Sequence, residues 1–378
     1  MLRNTKNNLR IITLKTISIF TAHGKNKQGK FSFWYFMRFC FSNIGFRLFF
    51  KYSIESLSIL FNRNFTFLKK LVNPKLEKLN ITVFPNHYNI AEEIKKIHFS
   101  KIDAPKVSII ICVYNNIAFT CNCLRAIMEH TGPEVSYEVI VVNDFSSDET
   151  AELLIQVPNL RLHNNNHNSG FVLSCNQGAS LAKGEFLCFL NNDTIVQKQW
   201  LTSMVELIEN DSQIGIVGSK LVFGDGDLQE AGGIVWQDGQ TYHYGRRGSI
   251  TNKKYNYIRE VDYCSGASFL ISKTDFDQLR GFDEMYTPGY YEDTDLCFSI
   301  QYTLNKKVVY QPASIVVHYE GVTSGTNINA GMRRYQQINA LKFKDKWKTQ
   351  LQSKLPNSFM NLDDTLIKYQ NSKNAKLI

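Results

Sequence analysis

Between residues 106 and 190 short β-branched apolar runs alternate with helix-forming stretches, and this alternation limits the fold more than any other feature of the chain. KVSIIICVYN (106–115) is too short to span a membrane and too continuously apolar to be half-exposed, so it reads as a strand buried on both faces. A helical stretch follows to Glu129 and is stopped by His130-Thr131-Gly132-Pro133. YEVIVVND (137–144), LRLH (160–163) and EFLCFL (185–190) are the next strands. The helices between them are SDETAELLIQV, opened by a capping box of Ser146 and Glu149, and FVLSCNQGASLAKG. Strand and helix in regular turn predict an α/β fold with a mostly parallel sheet flanked by helices. Ligands of such sheets sit beyond the carboxyl ends of the strands, here Asn115, Asp144 and Asn191-Asn192-Asp193.

Charge separates this body from what precedes it. The net charge is +9, but residues 1–80 hold 15 Lys or Arg against two acids, leaving 28 basic and 32 acidic residues in the rest. Three zones follow: a basic, aromatic, helical extension (1–100), the alternating body (101–325) and a polar helix-prone tail (326–378) that includes NALKFKDKW. An acidic body without a nucleic-acid motif argues against nucleic acid as a partner. Eight cysteines without CxxC spacing, Cys112 and Cys188 inside apolar runs, read as reduced thiols in a cytoplasmic protein. The early stretch IITLKTISIF is broken by Lys15 and lacks a cleavage site, and charges interrupt the aromatic stretch after it, so neither a secretory signal nor a membrane-spanning helix is expected.

Each polar knot has an ordinary explanation beside a chemical one. Asp144 at a strand end can accept from a nucleobase or ribose, or simply form an Asx turn. Asp193 can ligate a hard divalent cation or shape a turn. Glu292, Asp293 and Asp295 in YYEDTDLC open a helix, where acids are favoured by about 0.3–1 kcal/mol from the helix dipole alone. One of them can instead be a general base. His318 ends the β-branched run VVHYEG and is a ligand or a packed histidine. Neither GxGxxG nor GxxxxGK[ST] occurs, which argues against the dinucleotide and P-loop folds.

The order of these blocks is more informative than any one of them. VSIIICVYN, YEVIVVNDFSSDET, NNNHNSGFVLSCNQGASLAKGEFLCFLNNDT, IGIVGSKL, LQEAGG, CSGASFLIS, LRGFDEMYTPGYYEDTDLC and VVHYEG together resemble the inverting family 2 glycosyltransferases of GT-A fold. The likeness is nearest to the bacterial branch of rhamnosyl- and related transferases that build surface polysaccharide. It implies a GT-A catalytic domain over 101–325, a nucleotide-sugar donor, a glycan or lipid-linked glycan acceptor, and Mn²⁺ or Mg²⁺. Asp144 then binds the nucleotide, together with Val113, Asn115, Asn168 and Gly170. The DxD motif falls on Asn191-Asn192-Asp193, with Asp193 and His318 on the metal and Asn191 and Asn192 on the donor. Gly266 and Ala267 lie between donor and acceptor, Glu292 binds substrate, and Asp293 is the catalytic base. Cys112 stands where many members have proline and is expected to touch nothing chemical.

Asn191 in place of the first DxD acid leaves a non-catalytic nucleotide-sugar binder as an alternative. The absence of QxxRW and of membrane helices argues against a processive polysaccharide synthase. Two readings of the N-terminal extension stand. Fourteen aromatics between Phe31 and Phe67, interleaved with Arg and Lys, suit a helix lying on the anionic inner surface of the cytoplasmic membrane, and suit equally an accessory domain packed on the body.

Overall fold

A computed structural model describes residues 81–84, 89–321 and 331–357. The chain divides into two units, Met1–Pro74 and Lys75–Ile378, and all described residues belong to the second. The basic aromatic extension up to residue 80 and the tail beyond residue 357 lie outside the described residues. Among the described residues no helix is long and apolar enough to cross a membrane.

After a short helix α1 (Ile90–Ile94), the first half follows the alternation closely: β1 (Val107–Val113), α2 (Ile117–His130), β2 (Tyr137–Asn143), α3 (Thr150–Leu154), β3 (Arg161–Asn164), α4 (Phe171–Leu181) and β4 (Phe186–Leu190). β1 pairs in parallel with β2 on one side and β4 on the other, and β3 extends the sheet beyond β2. The second half adds β5 (Thr194–Val196), α5 (Trp200–Asn210), β6 (Ile214–Val222), β7 (Leu228–Glu230), the hairpin β8 (Gly233–Val235) and β9 (Thr241–His243), β10 (Arg259–Glu260), β11 (Ser268–Ser272), α6 (Lys273–Gln278), α7 (Glu292–Tyr302), β12 (Lys307–His318), α8 (Arg334–Lys346) and α9 (Lys348–Leu351). The sheet order is β10-β12-β6-β11-β4-β1-β2-β3, with β5 on β12 and β7 on β6. It is mixed because β11 runs antiparallel between β4 and β6.

Hydrophobic burial holds the frame. Every residue of β4 and β6 is buried, as expected of strands covered on both faces. Phe189 on β4 packs at ring-centroid distances of 5.3 Å from Phe269, 5.1 Å from Phe276 and 4.9 Å from Phe282, which ties β11 and α6 to the parallel half.

One sequence expectation changes. The Ser146–Glu149 capping box does not form, and α3 begins only at Thr150. Ser146 Oγ instead accepts the Asn115 N–H at 2.8 Å, while Asp148 Oδ1 takes the Thr150 N–H at 3.1 Å. The helix-prone segment after residue 330 forms α8 and α9 and packs on the body. Phe343 of α8 is fully buried, 4.9 Å from Phe298 and 5.4 Å from Tyr291 between centroids. Asn339 Nδ2 donates to the carbonyls of Tyr286, Gly289 and Tyr290 at 2.8, 2.9 and 3.0 Å.

Candidate active site

A cavity of about 740 Å³ opens beyond the carboxyl ends of β1, β2 and β4. Every residue that the resemblance assigns to the site lines it except Asn115: Val113, Asp144, Asn168, Gly170, Asn191, Asn192, Asp193, Gly266, Ala267, Glu292, Asp293 and His318. Asn115 is drawn away because its Oδ1 accepts the Ser147 N–H at 2.8 Å, which ties the end of β1 to the loop after β2. Cys112 corrects a second expectation. It lines the cavity, and its Sγ lies 3.3 Å from that of Cys175.

Asp193 and His318 meet because β5 pairs antiparallel with β12 in a register that sets His318 opposite Thr194. His318 Nε2 is 3.2 Å from Asp193 Oδ1, and the ring's Nδ1 is 3.2 Å from Gln229 Oε1. Burial opposes a charge on His318, but the Asp193 carboxylate outweighs it and raises the imidazole above its ordinary pKa. Asn191 Nδ2 lies 3.4 Å from the same Nε2, and Asn191 Oδ1 is buried without a partner. Among the described residues no group of three His, Cys, Asp or Glu is arranged around a metal position. Asp193, His318 and the orphaned Asn191 oxygen form a partial set of donors. Such a set fits a hard cation that completes its shell with the oxygens of a bound ligand.

Asp293 occupies the first turn of α7. Its Oδ2 accepts the Gly266 N–H at 2.8 Å, and its Oδ1 accepts the Thr294 N–H at 2.6 Å. Burial raises its pKa against the pull of these two amides. Glu292 beside it is raised further, by burial and by the Asp293 charge, and its Oε2 has no partner. The helix is entered through Tyr290 and Tyr291 at φ 76° and 73°, a left-handed pair of non-glycine residues held from behind by Asn339. Strain of that kind persists only where surrounding contacts over-determine it, and it gathers at functional sites. Asp295, the third acid, is structural: Tyr286 Oη, Trp347 Nε1 and Lys346 Nζ donate to it at 2.9, 2.7 and 2.8 Å.

Asp144 clasps a loop. Its Oδ1 accepts from the Ser169 N–H at 2.7 Å and Asn165 Nδ2 at 2.9 Å, and its Oδ2 accepts the Gly170 N–H at 2.9 Å. Gly170 must be glycine, since φ is +85° and an added Cβ would stand 2.6 Å from Pro288 Cβ. A Cβ on Gly266 would meet Asp293 at 3.5 Å, ordinary contact distance, so Asp293 and this turn lie surface to surface. Asn192 is anchored by Nδ2 donating to Thr120 Oγ1 at 3.0 Å, and the Ala267 carbonyl accepts the Asn191 N–H at 3.0 Å.

Several cavity residues were given no role from the sequence. Gln229, Thr241, His243, Glu320 and Arg333 line it, with Glu230 buried behind His243. Burial opposes the Glu320 charge, yet Arg246 and Gln229 bring its pKa down to about 2, and Arg333 pairs with its other oxygen at 2.8 Å. These residues come from β7, β9 and the segments flanking the end of β12, and no spacing in the chain relates them.

The curled mixed sheet, with its cleft past the strand ends, is a GT-A architecture. Residues 108–280 match the family described as Glycosyl transferase family 2. Human polypeptide N-acetylgalactosaminyltransferase 14 is 32% identical over 195 residues, covering 48% of this chain and 35% of the human protein. The O-antigen biosynthesis protein RfbC of Myxococcus xanthus is 28% identical over 199 residues, covering 50% of this chain and 16% of that protein. This chain thus spans well under half the length of either relative. Among solved structures, GalNAc-T7 with UDP, GalNAc and Mn²⁺ aligns with a TM-score of 0.52 and 16% identity, over 67% of this chain and 50% of that one. That likeness is one of fold.

Proposed function

We propose that this protein is an inverting glycosyltransferase that moves a sugar from a nucleoside-diphosphate sugar to a hydroxyl of a glycan acceptor. One observation carries the reading: Asp193 paired with His318, and Asp293 anchored on Gly266, line a single cavity at the ends of the strands. The presence of UDP and Mn²⁺ in the GalNAc-T7 structure supports a nucleotide donor and a divalent ion, Mn²⁺ or Mg²⁺, at Asp193, His318 and Asn191. When bound there, such an ion supplies positive charge for a leaving diphosphate.

The chain's own residues divide the remaining work. Asp144 fixes the loop that brings Asn168 and Gly170 to the cavity wall, which positions the nucleotide. Asp293 accepts the proton of the attacking hydroxyl. Its raised pKa brings it nearer to neutral pH than an ordinary aspartate, which strengthens it as a base. A single displacement with one base inverts the anomeric centre.

The Myxococcus relative's role in O-antigen biosynthesis favours bacterial surface polysaccharide as the product and a lipid-linked glycan as the acceptor. The basic aromatic N-terminal stretch favours a cytoplasmic enzyme held at the inner membrane surface. The deciding experiment incubates the full chain with a panel of nucleotide sugars and Mn²⁺ or Mg²⁺, and measures nucleoside diphosphate released, with Asp293→Asn as control. Release from one donor, lost in the variant, supports the reading. Binding of a donor without release, with glycan acceptors present, would make the chain a non-catalytic binder.

A further inference from the structure

His243 ends β9 and its ring lines the cavity, while Glu230 ends β7 and is 1% exposed. Glu230 Oε2 accepts a hydrogen bond from His243 Nδ1, and Glu230 Oε1 accepts the Ser265 N–H at 3.2 Å. The very next amide, Gly266 N–H, holds Asp293 Oδ2 at 2.8 Å. Two consecutive amides of one turn therefore fix two carboxylates, one proposed as the base and the other anchoring a histidine. Burial opposes a charge on His243, but Glu230 outweighs it and raises the imidazole above its ordinary pKa. With Nδ1 engaged, Nε2 is the ring nitrogen left for a ligand in the cavity.

A carbohydrate acceptor carries hydroxyls on neighbouring carbons, and one contact to a base leaves the ring free to turn. A second fixed polar contact selects which hydroxyl meets the base. We propose that His243, held by Glu230, is an acceptor-positioning residue whose Nε2 hydrogen-bonds a sugar hydroxyl neighbouring the one that Asp293 deprotonates. The inference rests on the transferase reading. The acceptor is indicated because the pair is tied to the Ser265–Gly266 turn, whose next amide holds the proposed base Asp293.

The test uses the donor that the wild-type protein turns over, with a series of methyl glycosides as acceptors. His243→Ala is expected to raise the acceptor KM about tenfold or more, to move the donor KM less than about threefold, and to give mixed linkages in the product. His243→Gln keeps an N–H and is expected to recover part of the loss. It also stands in if the alanine variant does not fold. Glu230→Gln is expected to fall between the wild type and His243→Ala. Unchanged acceptor KM and linkage in a folded variant, or an equal change in donor KM, would overturn the proposal while leaving the transferase reading intact. No release from any donor by the wild-type protein would overturn both.

Discussion

His318 Nε2 stands 3.2 Å from Asp193 Oδ1, so a histidine at the end of the longest strand is the direct neighbour of the aspartate that closes NND. Neither side chain could hold this arrangement without the other's strand. A chelator is expected to stop nucleoside-diphosphate release, and added Mn²⁺ or Mg²⁺ to restore it. Asp193→Ala and His318→Ala should each weaken the apparent metal affinity at least about tenfold, read from metal titrations of the release rate. Wild-type titrations in either variant would remove that residue from the metal.

Asp293→Asn is expected to lower turnover by about 10²–10⁴-fold, with donor binding changed far less. Burial raises the Asp293 pKa, and only the ionised form accepts a proton. The rate should therefore fall as pH drops through that raised value, placing the acid limb of kcat/KM above the range of an ordinary aspartate. A limb at or below that range would assign the base to another group.

Glu292 should reveal itself in stability. Its folded pKa lies well above the unfolded value, so its charge destabilises the fold. That cost is absent below the unfolded pKa, grows as pH rises toward the folded pKa, and is constant above it. Glu292→Gln should thus gain stability relative to the wild type on going from pH 4 to pH 8, by about 1–3 kcal/mol. Parallel melting curves across that range would contradict the assignment.

Gly170→Ala is expected to cost about 1–3 kcal/mol, because φ is +85° and the new methyl would meet Pro288. Urea denaturation measures the loss. Donor affinity should fall with it, since the Gly170 N–H that meets Asp144 shifts.

The parallel half was legible because its signal is local: VSIIICV, YEVIVVN and FLCFL are each apolar enough to declare a doubly covered strand. Asp193, Asp293 and His318 were singled out together only through the order of blocks, since nothing in their spacing says that they meet. β11 between β4 and β6 escaped the periodicity argument because strand order is a long-range property. Ser146 and Asn115 misled for a shared reason. Each carries a side chain suited to a helix cap or a ligand, and the two loops use both on one another's backbone. The roles of Glu230, His243 and Asn339 were not legible because an ion pair between β7 and β9, or a clamp on three carbonyls, leaves no pattern along the chain.

β6 and β11 lie side by side, antiparallel, with Phe269 opposite Gly218. Residues 223–267 therefore form one oversized connection between neighbouring strands, tied to the sheet along its course by β7 on β6 and β10 on β12 and free to lengthen between those ties. Extending such a loop costs only a term that grows with the logarithm of its length. β7, the β8–β9 hairpin and the Gly266 turn all belong to it, whereas Asp144 and Asp193 sit on the frame outside. Insertions between those ties therefore remodel the wall that faces Asp293 while the strand ends bearing Asp144 and Asp193 keep their places.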